Sequence, residues 1–145
     1  MDESSAIKRV LLATDLTAVS EHAARDAIEL ARDHGAQLIV LSVVDANRLR
    51  LPGGRFLRRI DQERARMERG AQQLVRRARD AGVNATFLVW EGDPAEAVLE
   101  AASAERVDVI VLGSHGRGRL GRLILGSIST RVTVGARCPV LVVRG

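Results

Sequence analysis

Apolar runs of strand length alternate along the chain with stretches whose apolar positions recur every three or four residues. The first run, Ile7 to Thr14 (IKRVLLAT), has the continuous apolar character of a strand buried on both faces. From about Ser20 to His34 the apolar positions are Ala23, Ala24, Ala27, Ile28, Leu30 and Ala31, which form one stripe of a helix. Ser20 is placed to cap that helix and Gly35 to end it. Gln37 to Val44 (QLIVLSVV) predicts a second strand. Asn47 to Phe56 has no period and carries Pro52, Gly53 and Gly54, so a loop is expected. Helical spacing resumes from about Leu57 to Ala81, with Ile60, Met67, Ala71, Leu74, Val75 and Ala78 on one face and Gly82 closing it. Val83 to Trp90 predicts a third strand. Asp93-Pro94 then opens a helix that runs to about Glu105, the carboxylate capping and the proline suiting the first helical position. Val107 to Leu112 predicts strand four, Ser127 to Ala136 a helix, and Pro139 to Val143 strand five.

Strands rich in Val, Leu and Ile, separated by helices, imply a parallel sheet covered on both faces. With right-handed crossovers this is an α/β fold: an open, doubly wound, Rossmann-like five-stranded sheet. The length of 145 residues suits one domain spanning 1–145. Such sheets hold ligands at the carboxyl ends of their strands, where the strand order reverses.

Composition narrows the setting. Cys138 is the only cysteine, so no internal disulfide can form, as expected in a reducing cytoplasm. Met1 to Ala6 is acidic and polar rather than basic then apolar, and no apolar run reaches the length of a membrane span. A cytoplasmic protein without membrane contact is expected. Net charge is +4, yet the isoelectric point is near 10.8, because every basic residue except Lys8 is arginine. That excess reads as a compositional habit. Nucleic acid is not the expected partner, because single-strand binders stack bases on aromatics, and this chain has no Tyr, one Trp and two Phe. The arginine-rich stretch from Arg48 to Arg79 is either a solvated helix face or a surface for an acidic protein partner.

The chemistry concentrates in Gly113 to Thr130 (GSHGRGRLGRLILGSIST), directly after strand four. Gly113, Gly116, Gly118, Gly121 and Gly126 allow tight turns and close approach to main-chain N–H groups. Ser127, Ile128 and Ser129 begin the next helix, where free N–H donors and the positive dipole end make an anion site. No Gly-Lys-Ser/Thr is present, and the segment does not follow the first strand, so it is neither a P-loop nor a dinucleotide fingerprint. Composition alone leaves it either an anion-binding loop or a plain turn between strand and helix. Among its arginines, Arg117, Arg119 and Arg122, Arg117 is the one expected to meet phosphate. His115 is a loop histidine without a nucleophile beside it, and no His/Cys set has metal-ligand spacing.

The spacing Gly113, Gly116, Gly126, Ser127 resembles the nucleotide-binding signature of universal stress proteins: Gly, two residues, Gly, nine residues, Gly, then Ser or Thr. The opening VLLATDLTAVSEHAARDAIELA and the ending CPVLVV are similar to that family's first strand and helix and its last strand. The resemblance implies strand order 3-2-1-4-5 and an adenine nucleotide as ligand, ATP foremost. It implies that Ala13, Thr14 and Asp15 line a wall of the site, with Asp15 near the ribose and a bound Mg ion. It implies that the main chain of Val43 meets adenine, and that Gly113, Gly116, Gly126, Ser127 and Ser129 hold ribose and phosphates. A homodimer through strand 140–143 is also implied, with Val140 and Val142 facing the partner. Three function classes remain open: a nucleotide-binding regulatory protein without catalysis, a slow phosphate-transferring or ATP-hydrolysing enzyme, and a dimeric module that needs no ligand.

Overall fold

A computed structural model describes residues 6–49, 56–114 and 126–144. Its strands are β1 (Arg9–Ala13), β2 (Gln37–Val44), β3 (Ala85–Glu91), β4 (Val109–Gly113) and β5 (Val140–Val143). Its α-helices are α1 (Glu21–His34), α2 (Ala46–Leu49), α3 (Phe56–Asp80), α4 (Pro94–Ala104) and α5 (Ser127–Gly135). The five strands form one parallel sheet in the order β3-β2-β1-β4-β5. The chain steps from β1 outward to β2 and β3, then returns to the other side of β1 for β4 and β5. The reversal lies between β1 and β4, where Ala13 is paired with Leu41 on one side and Leu112 on the other.

Alternation along β1 divides the core. Val10 and Leu12 join the layer built with Ala23, Ala27 and Ala31 of α1 and Leu74, Val75 and Ala78 of α3. Leu11 belongs to the opposite layer, with Val98 and Ala101 of α4 and Val132 of α5. Both faces of the sheet are therefore apolar, and the strands read as continuous hydrophobic runs.

Two helix ends follow local chemistry. Gly35 adopts φ +62° after α1, and its N–H returns to the carbonyls of Ala31 and Arg32. Asp93 caps α4 by accepting from Glu96 N–H at 2.9 Å, with Pro94 at the first helical position. The same carboxylate pairs with Arg131 of α5 at 3.0 Å. That guanidinium, and then the Glu96 N–H, hold Asp93 below the ordinary carboxylate range.

Three expectations change. Ser20 is not a side-chain cap: a 3₁₀ turn at Ala18–Ser20 precedes α1, and the Ser20 hydroxyl donates to Thr17 O at 2.8 Å. Within the expected loop 47–56, residues up to Leu49 belong to α2 and Phe56 begins α3, whereas 50–55 lie outside the described residues. Val140 and Val142 pack, partly buried, against their own core, and Leu141, at 42% exposure, faces outward. Cys138 is half-buried; burial, with the Asp108 carboxylate adding to it, pushes its thiol above the ordinary range, which suits packing rather than nucleophilic chemistry. Among the described residues no helix is long and apolar enough to cross a membrane.

Candidate functional site

The carboxyl ends of β1, β2 and β4 open into a cleft of about 600 Å³. Every expected site residue that the structure describes lines it: Ala13, Thr14, Asp15, Val43, Gly113, Gly126, Ser127, Ile128 and Ser129. Gly116 and Arg117 lie outside the described residues, as do His115, Arg119 and Arg122.

On the β4 side the two arms of the glycine segment are tied together. Ser114 N–H donates to Val143 O at 2.8 Å, and Gly126 N–H donates to Ser114 O at 2.8 Å. The buried Ser129 hydroxyl donates to Gly113 O at 2.7 Å, so its proton fixes the strand end rather than reaching into the cleft. The first α5 bond runs from Thr130 N–H to Gly126 O. Gly126 has no side chain to cap with, and Ser127, Ile128 and Ser129 follow as the first three helical residues. Their N–H groups have no partner within the helix and lie at its positive end, beside the cleft. A Cβ added at Gly113 would meet nothing within 4 Å, so the backbone there is open to close approach.

On the β1 side a polar turn is fixed from the sheet. Thr14 N–H donates to Leu41 O at 3.0 Å, and the buried Ser42 hydroxyl donates to Thr14 O at 2.8 Å. Thr14 Oγ1 accepts from Leu16 N–H at 3.0 Å and donates to Ser20 Oγ at 2.9 Å. Asp15 Oδ1 accepts from both the N–H and the hydroxyl of Thr17, at 3.0 and 2.7 Å. Asp15 thus ties the turn, its carboxylate exposed at the cleft. Leu16 completes the turn at φ +61°, a conformation that costs a non-glycine residue about 1–2 kcal/mol.

The sequence did not reveal a third wall. Arg59, Glu63, Arg66 and Met67 of α3 line the cleft, as do Asp45 and Leu49. Their spacing on α3 is the available signal, since positions 59, 63, 66 and 67 share one helix face. Arg66 binds Glu63 through Nε and donates from Nη2 to Asp15 O at 3.2 Å. Elsewhere on α3, Arg64 pairs with Glu91 and Arg77 with Glu21, and Arg79 donates to Ala85 O. Much of the basic run therefore serves the chain's own packing, while Arg58, Arg59, Arg69 and Arg76 are exposed.

A doubly wound parallel sheet with a glycine-lined cleft at its switch point defines the class, an open Rossmann-like α/β domain. The chain belongs to the universal stress protein family, which matches residues 6–144. It is 38% identical over 141 residues to a universal stress protein of Thermus aquaticus, covering 94% of this chain and 98% of that one. The universal stress protein UspA from Lactobacillus plantarum superposes with a TM-score of 0.86 at 25% identity, over 95% of this chain and 98% of that one. A universal stress protein solved in complex with cAMP shares the fold, with a TM-score of 0.73 at 23% identity over 96% and 98% of the two chains.

Proposed function

We propose that the cleft binds an adenine nucleotide, ATP foremost, and that the protein is a nucleotide-responsive regulator rather than an enzyme. The observation that carries this reading is the uncapped start of α5, whose first N–H groups border a cleft with an open glycine backbone at Gly113. Phosphates belong at that helix end and adenine at the Val43 main chain, with the ribose between them near Asp15. The cAMP complex of a structural relative agrees with this ligand class.

A magnesium ion fits the donors present in one way. Asp15 Oδ1 is engaged by Thr17, which leaves Oδ2 for a hard cation. No group of three or more His, Cys, Asp or Glu residues converges among the described residues. The ion would therefore come with the nucleotide, held by the Asp15 carboxylate, phosphate oxygens and water. Calorimetric titration with ATP tests the assignment. Asp15→Ala should lower affinity about tenfold, or about 1.4 kcal/mol, with Mg²⁺ present and much less in EDTA. An equal loss in both would remove the cation from the role of Asp15. Phosphate release by the wild type should stay below roughly 1 s⁻¹, the low end of ordinary turnover; faster release would make the cleft an active site.

We further propose a homodimer through β5. Pro139 and Val143 turn their carbonyls to β4, so Val140 and Val142 turn their main-chain groups outward along an open sheet edge. Leu141, 42% exposed on β5 itself, adds apolar surface at that edge. Light scattering at micromolar concentration should give twice the chain mass. Val142→Pro removes an outward N–H, which an edge strand tolerates, and should yield monomer. A monomeric wild type would exclude the interface.

A further inference from the structure

We infer that α3, through Arg66 and Gly70, sets the geometry of the Asp15 carboxylate, which makes both of them positioning residues for the nucleotide and its cation. This rests on the nucleotide reading above. The turn from Thr14 to Thr17 is fixed from the sheet only as far as Thr14, by Leu41 O and the Ser42 hydroxyl. Beyond Thr14 the strained Leu16, at φ +61°, has its N–H on Thr14 Oγ1, and the rest of its restraint comes through its side chain, packed into the core beside α3.

Helix α3 supplies two grips one turn apart. Arg66 Nη2 donates to Asp15 O at 3.2 Å, and Glu63 holds the same guanidinium through Nε. Four residues on, Gly70 gives the Leu16 side chain its seat. A Cβ at position 70 would stand 3.2 Å from Leu16 Cδ1 and 3.3 Å from Leu16 Cβ. Glycine inside a 25-residue helix works against helix formation, and here close approach is the compensating reason for it. The carbonyl of residue 15 and the side chain of residue 16 are thus both bound to α3. The carboxylate between them keeps the direction in which Oδ1 meets Thr17. Gly70 does not line the cleft, so its effect on a ligand must pass through this turn.

Gly70→Ala separates positioning from mere support, because alanine favours the helix while crowding Leu16. Thermal stability should hold or rise, yet ATP affinity with Mg²⁺ should fall about tenfold. In a Leu16→Gly background, where glycine suits the positive φ and removes the crowded side chain, Gly70→Ala should change affinity less than about twofold. Arg66→Met should also weaken Mg²⁺-dependent binding, and Arg66→Lys should recover part of the loss. A second measurement needs no ligand: NMR exchange of the Thr17 amide in the free protein should be about tenfold faster in Gly70→Ala, since its bond to Asp15 Oδ1 loosens. If the wild type takes up no adenine nucleotide, the reading of the cleft fails on that arm, and the Thr17 amide still decides whether α3 grips Asp15. Unchanged Thr17 exchange in Gly70→Ala overturns the inference. So does unchanged Mg²⁺-dependent affinity in Gly70→Ala when the wild type binds.

Discussion

Ser127→Asp should abolish phosphate recognition while leaving the fold as stable as before or slightly more so. Ser127 is the first residue of α5, exposed and at the cleft. A carboxylate in the first helical turn complements the helix dipole and contributes about 0.3–1 kcal/mol to stability. In the same position it occupies the region where phosphate would meet the helix start and opposes it charge against charge. ATP affinity should fall at least about 100-fold, or about 2.7 kcal/mol. The loss should shrink from ATP to AMP and vanish for adenosine, which carries no phosphate. Ser127→Ala, which keeps the N–H groups, should cost only a few fold. Calorimetry across the three ligands reads the gradient directly. An equal loss for adenosine would mean that the variant has damaged the cleft, and an unchanged ATP affinity would move the phosphates away from α5.

The parts legible in the sequence were those in which one local rule acted alone. Continuous apolar runs marked all five strands, because a parallel sheet covered on both faces has no polar side to alternate with. Asp93-Pro94 and Gly35 marked helix ends because their conformations are set by their own chemistry. Ser20 misled because its hydroxyl accepts from Thr14 and donates to Thr17 O instead of capping the helix, and those bonds appear only once β1 and the turn are placed together. Helix α2 is a single turn of four residues, too short for a period. The faces of β5 were misassigned because an edge strand in sequence does not reveal which side its own helices cover. Val140 and Val142 pair in register with Ile110 and Leu112, and all four face the same layer.

The cleft divides in the same way. Its glycine and serine walls belong to one contiguous segment and one strand end, so spacing could find them. The α3 wall could not be found so, because Arg59, Glu63 and Arg66 look like any solvated charged face until the helix, packed on β2 and β3, brings them to the cleft. What distinguishes Arg66 is a main-chain oxygen 51 positions away in the chain. Asp15 ties its own turn, with Oδ1 accepting from Thr17, while its carboxylate stays exposed at the cleft.

Leu11→Ala should destabilise the protein by about 3–4 kcal/mol, and saturating nucleotide should restore most of it. Leu11 is fully buried in the central strand, between Ile39 of β2 and Ile110 of β4. Truncation loses the transfer energy of its methyl and methylene groups and leaves a void that neighbours held in three strands cannot close. Against a total stability of about 5–15 kcal/mol this is a large fraction. Two residues further along the same strand, Ala13 forms the wall of the cleft. A ligand held there and at α5 binds only the folded chain, so at 100 times its dissociation constant it should return about 2.7 kcal/mol. Urea unfolding monitored with and without ATP measures both terms. An unchanged midpoint without ligand would contradict the placement of Leu11 at the core. Full destabilisation that ATP does not offset, in a variant still shown by calorimetry to bind, would mean that nucleotide also binds the unfolded chain and that the cleft is not its site.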